Sequence, residues 1–155
     1  MVIRECGILF RGFNLIFVKY HKASDEKIDK DLRSALLTAL LNFAENVFTK
    51  DDAIEYFEMK KFAISFTDDI IKAEDSPIPE PILVYAILDK EKKLDKYISK
   101  VLIPSLKEIM KKFKKDYEGK NLSETSQFEH FRENIDKILG AATKTMDERA
   151  RGTLF

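Results

Sequence analysis

The chain has 155 residues, 45% hydrophobic and 35% charged, with 27 basic residues against 27 acidic ones. That length and balance fit one globular domain able to bury roughly 70% of its unfolded surface, and they argue against a disordered chain and against a net basic field that would attract nucleic acid. The single cysteine, Cys6, excludes an internal disulfide and reads as a small core residue in a reducing compartment.

The first five residues place charges where a secretory leader needs an apolar run, so no leader is expected. The longest uncharged apolar stretch, residues 34–44, is well short of the roughly 20 residues that span a bilayer as a helix. A soluble, cytoplasmic protein is expected, in which the Asn121-Leu122-Ser123 sequon is idle.

The sequence "CGILFRGFNLIFVKYH" begins at Cys6. Residues 7–10 and 14–20 are apolar at both parities, which predicts two strands covered on both faces. Gly12 between them supplies the positive φ of a tight hairpin. Residues 23–25 offer helix N-caps, and a long helical period follows over 25–48. Leu32, Leu36, Ala39, Leu40, Phe43 and Val47 fall on one side of that helix, and Leu37, Leu41, Ala44 and Phe48 make a second stripe beside the first.

Short strands are predicted at 53–59 and 62–66. Residues 67–81, with five acids and three prolines, read as an acidic surface loop. "ILVYAIL", residues 82–88, is an unbroken apolar run and the predicted central strand. From Leu94 to Tyr117 the apolar residues keep helical phase across Pro104, which predicts one kinked helix ending at Gly119. Ser126 and Glu129 have the spacing of a capping box ahead of a short last helix that stops at Gly140. Residues 1–140 are read as one domain and 141–155, which hold no period, as a flexible tail.

The order of elements predicts an α+β domain: a five-stranded antiparallel sheet as the middle of three layers, with one wide helix on one face and two on the other. With this order, the hairpin "GILFRGFNLIFVKYH", the helix "LRSALLTALLNFAENVF", the hairpin "IEYFEMKKFAISFTDD", the strand "ILVYAIL" and the closing "FEHFRENIDKIL", the chain resembles the longin domain family, whose architecture is profilin-like. The resemblance extends over residues 2–139. It implies a non-enzymatic protein–protein interaction module, a scaffold in small-GTPase regulation or membrane trafficking, either as a homodimer or beside a longin- or roadblock-like subunit or a small GTPase. It places the first strand and "ILVYAIL" near the sheet centre and residues 53–59 at an edge. Longin-like proteins commonly dock partners with the first helix and the neighbouring edge strand, which makes Leu37, Leu41, Phe48, Tyr56 and Phe57 the candidate partner-binding residues. The competing account of that stripe is burial alone, because a single helix covering a sheet face is itself apolar over a wide arc.

Ten lysines between Lys90 and Lys115 line the second long helix. They suit a peripheral contact with anionic lipid or an acidic partner, although a solvated outer face is the plainer account. The acidic stretch 67–81 is a further candidate to neutralise them within the molecule. Nucleic acid is not an expected partner, because the helix has neither Arg nor an aromatic on its polar side. His21 and His130 have no second ligand at metal spacing, Asp68 and Asp69 are adjacent acids expected to be solvated, and no catalytic or phosphate-binding motif occurs. No enzyme activity, metal or cofactor is expected. The alternative from another class is a PAS- or GAF-like small-molecule sensor, which requires an enclosed pocket against the sheet.

Overall fold

A computed structural model of the chain describes residues 3–20, 56–58 and 60–140. It is an α+β fold built on five strands: β1 (Ile3–Phe10), β2 (Phe13–Lys19), β3 (Tyr56–Glu58), β4 (Phe62–Ile71) and β5 (Glu80–Asp89). They form one antiparallel sheet in the order β2-β1-β5-β4-β3. The "ILVYAIL" strand is therefore central, flanked by β1 and β4 along its length, and β3 is an edge. The expected wide helix over residues 25–48, with its two stripes, lies outside the described residues, as does the tail 141–155.

The β1–β2 connection is a two-residue turn with Arg11 at φ 53° and Gly12 at φ 79°. Two successive left-handed residues make the hairpin turn whose twist matches the strands it joins. Gly12 adopts that conformation without cost, whereas Arg11 carries a Cβ that opposes it. Beyond the turn the register shifts, with Ile8 opposite Ile16 and Leu9 opposite Asn14. Leu15 is the extra residue of a β-bulge, and for that reason Leu15 and Ile16, though consecutive, are buried in the same core.

A second irregularity lies between Ile3 and Glu5 opposite β5. It leaves Arg4 outside the pairing, where its Nε and Nη2 each donate to one oxygen of Asp89 at 2.9 Å. This fork ties the start of β1 to the end of β5.

Two helical rods pack on one face. The first comprises α1 (Leu94–Tyr97), a π-helical stretch (Ile98–Leu102) and α2 (Ile103–Tyr117). It is continuous through Pro104, as the unbroken apolar phase predicts, and the π stretch lies immediately before the proline-bearing first turn of α2. The Ile103 N–H reaches back five residues to the Ile98 carbonyl, and the Ser105 hydroxyl donates to the Val101 carbonyl at 2.8 Å.

A 3₁₀ turn (Thr125–Phe128) precedes α3 (Phe131–Leu139). The capping-box expectation is corrected here: α3 begins after His130, no side chain caps it, and Ser126 and Glu129 belong to the 3₁₀ turn and its end. The burial of Phe128 fixes that stretch, and the apolar contact outweighs the capping signal. Gly140 does end α3, its N–H donating to the Asp136 carbonyl.

The acidic loop is shorter than expected. Strand β4 continues through Thr67, Asp68 and Asp69, opposite Val84, Leu83 and Ile82, and β5 already includes Glu80 and Pro81. Pairing with the long central strand satisfies the backbone of 67–71. Their polar side chains are tolerated because this end of the sheet is only half covered.

The core has two parts, separated by the alternation of the sheet. Ile82, Val84, Ala86 and Leu88 of β5 join Cys6, Ile8 and Phe10 of β1 under Ile98, Leu102, Leu106, Ile109, Phe113, Phe131 and Ile135 of the rods. On the opposite face Leu9, Ile64, Phe66, Leu83, Tyr85 and Ile87 form a second buried cluster, with Phe57 and Phe62 packed against it. Both parities of β5 are thus buried, which is the physical reason its sequence has no polar alternation.

Candidate interaction site

Strand β3 is described over Tyr56–Glu58, and alternation sends neighbouring residues to opposite sides. Phe57 stacks on Phe66 with ring centroids 5.5 Å apart and belongs to the second apolar face. Tyr56 packs against the core beneath the rods, and its hydroxyl donates to Asp95 in α1. Glu58 pairs with Lys90 at 3.1 Å. Of the five candidate partner-binding residues, the structure describes these two and places them on different faces. Both are half-buried. Leu37, Leu41 and Phe48 lie outside the described residues. Lys60 and Lys61 are exposed in the bend before β4.

The second candidate is an open groove of about 390 Å³ between β4 and α2, lined by Thr67, Asp68, Asp69, Lys107, Met110, Lys111 and Lys114. Here the acidic stretch meets the lysine stripe, as the charge pattern suggests. Asp69 Oδ1 lies 3.1 Å from Lys114 Nζ and also accepts the Ile70 N–H at 2.7 Å. Exposed pairs of this kind contribute about 1 kcal/mol at most, so the contact positions side chains more than it stabilises the fold. Burial, with a smaller push from the neighbouring Asp69 carboxylate, holds Asp68 above the usual carboxylate range.

At the end of the sheet Arg11 forms a clasp that sequence reading does not find, because its partners are more than 60 positions away. Its guanidinium donates to Asp75 at 3.0 and 3.1 Å, to Glu80 at 2.5 to 3.1 Å and to the Ser76 hydroxyl at 3.2 Å. Ser76 in turn donates to Glu80 and accepts the Ala73 N–H. Arg11 lowers the pKa of both carboxylates, and Ser76 adds to the effect on Glu80. The clasp holds the hairpin turn against the loop before β5 and supports the left-handed backbone at Arg11. Phe13, next to the turn, and Ile78, in the loop before β5, are 73% and 68% exposed, the most exposed large apolar residues among those described.

A third polar group sits inside the second face, where the Tyr85 hydroxyl lies 3.2 Å from Glu5 Oε2 and 3.3 Å from Asn14 Oδ1. Glu5 and Tyr85 are both buried. Their contact joins the three strands β1, β2 and β5 and reads as a satisfied core polar cluster. Cys6 faces the other core, where burial pushes its thiol up to about 12 and keeps it protonated and unreactive. His130 is exposed ahead of α3, and His21 lies outside the described residues. Among the described residues no three His, Cys, Asp or Glu side chains converge as metal ligands, and no helix is long and apolar enough to cross a membrane.

Comparison with protein-family models gives no match, and comparison with curated proteins gives none either.

Proposed function

We propose that this protein is a cytoplasmic, non-enzymatic interaction module of longin-like type that scaffolds a complex in small-GTPase regulation or membrane trafficking, acting as a homodimer or beside a longin- or roadblock-like subunit. The observation that supports this reading best is the strand order, with "ILVYAIL" at the centre and the edge strand β3 carrying Phe57 onto the second apolar face. A sheet edge beside an apolar surface suits docking, because a partner gains both buried area and backbone pairing. The mechanism is positioning: no bond is made or broken, and partner choice lies in the side chains that flank the edge. Phe57, together with Leu37, Leu41 and Phe48 of the predicted first helix, would supply the apolar contact, with Tyr56 holding the edge strand to α1.

Size-exclusion chromatography with light scattering on the wild type and on Leu41→Asp tests the homodimeric form of this reading. The wild type is expected at twice the chain mass. The variant should retain its circular-dichroism spectrum and run as a monomer, with a dissociation constant raised about 30-fold or more, the equivalent of ~2 kcal/mol at an interface anchor. A wild-type monomer, or a variant that remains a dimer, would contradict it. An unfolded variant would assign Leu41 to the core.

A further inference from the structure

The rod formed by α1, the π stretch and α2 spans 24 residues, about 36 Å at the helical rise. From residue 90 to residue 120 the sequence has eleven lysines and five acids, in a chain whose formal charge is zero. The rod itself, residues 94–117, carries seven of these lysines against three acids, an excess of positive charge along one element. Among the described residues, Lys90 and Lys114 are the only two of the eleven held in ion pairs. Lys96, Lys100, Lys107, Lys111 and Lys115 are exposed. In the middle of the stripe Val101 is 49% exposed and Pro104 is exposed beside it, so an apolar step interrupts the charges.

We propose that this side of the rod docks on an anionic lipid surface, with lysine ammonium groups at the headgroups and Val101 and Pro104 against the acyl boundary. Charge complementarity selects the surface, since a basic stripe is attracted by the negative potential of acidic headgroups over about a Debye length. The residue type selects lipid over an acidic protein. None of the eleven cations is an arginine, the side chain that recognises an individual carboxylate through a planar two-pronged contact. Lysines act as mobile point charges suited to a diffuse field. Their aliphatic stems lie along apolar surface while the ammonium reaches outward, which fits an interface with Val101 at its centre. The core side of the same rod is filled by Ile98, Leu102, Leu106, Ile109 and Phe113, each at most 1% exposed, so docking needs no unfolding of the rod. The groove beside it offers a measure of restraint, because Asp69 already holds Lys114 and docking would leave that pair in place.

Co-sedimentation of the full chain with phosphatidylcholine vesicles, with and without about 30% phosphatidylserine at about 50 mM salt, tests the proposal. The wild type should bind the anionic vesicles and not the neutral ones, and should be released as salt rises. The triple variant Lys100→Glu/Lys107→Glu/Lys111→Glu should keep its circular-dichroism spectrum and bind at least about tenfold more weakly. Val101→Ser should lose a few-fold in binding with the charge unchanged. Equal binding to both vesicle types, or an undiminished triple variant, overturns the proposal. So does tight binding of soluble polyglutamate with no vesicle binding, which would assign the stripe to an acidic protein. Leu41→Asp should bind vesicles like the wild type, so the outcome is separable from that of the dimer experiment.

Discussion

Replacing Phe113 with alanine is expected to lower the free energy of unfolding by about 4 kcal/mol, the upper part of the range for a large-to-small change in a core that cannot collapse. Phe113 is completely buried in α2. Its ring centroid lies 4.9 Å from Tyr117, 5.4 Å from Phe128 in the 3₁₀ turn and 5.4 Å, edge-on, from Phe131 in α3. Tyr117 closes the cluster on Phe128 at 4.8 Å, and its hydroxyl donates to the Gln127 carbonyl at 3.1 Å. One ring therefore joins the rod, the turn and the last helix. Urea titration should show a lower midpoint with little change in slope. Phe113→Leu, which keeps much of the volume, should cost less than half as much and remains measurable if the alanine variant fails to fold. A loss below about 1 kcal/mol for the alanine variant would mean that the cluster does not organise the C-terminal third of the domain.

The second large effect is expected at Gly7. A Cβ there would lie 2.5 Å from the Tyr85 hydroxyl oxygen and 2.6 and 2.7 Å from two ring carbons. Tyr85 is 1% exposed and held in place by its contacts with Glu5 and Asn14. Its ring has nowhere to retreat, so Gly7→Ala should destabilise by about 3 kcal/mol through overpacking. In a Tyr85→Leu background most of that penalty should vanish, giving a coupling energy of about 2 kcal/mol in a double-mutant cycle. Additive effects would show that Tyr85 does not lie over Gly7.

The elements legible in the sequence are those whose burial is one-sided or complete. "ILVYAIL" has no polar alternation because both of its faces are buried, and the phase of Leu94 to Tyr117 survives Pro104 because the same side of the rod is buried before and after it. What escaped was fixed by partners distant in sequence. Thr67, Asp68 and Asp69 look like loop residues, yet their backbones pair with β5 while Lys114 meets Asp69. The Arg11 clasp depends on Asp75, Ser76 and Glu80, which no local pattern connects to a turn arginine. The candidate site was partly legible. Tyr56 and Phe57 do lie at the sheet edge, but as neighbours on a strand they serve opposite faces, which limits the edge strand's share of the proposed docking contact to Phe57 and leaves Tyr56 to hold β3 against α1.

Native-state amide hydrogen exchange, followed residue by residue, tests whether the sheet is buried on both faces with β5 in the middle. Amides of residues 82–88 and their β1 partners 6–9 should exchange slowest, near the global unfolding limit, and those of β3 and the outer side of β2 much faster. Exchange of β5 as fast as that of β2 or β3 would contradict the strand order and remove the basis of the proposed docking edge.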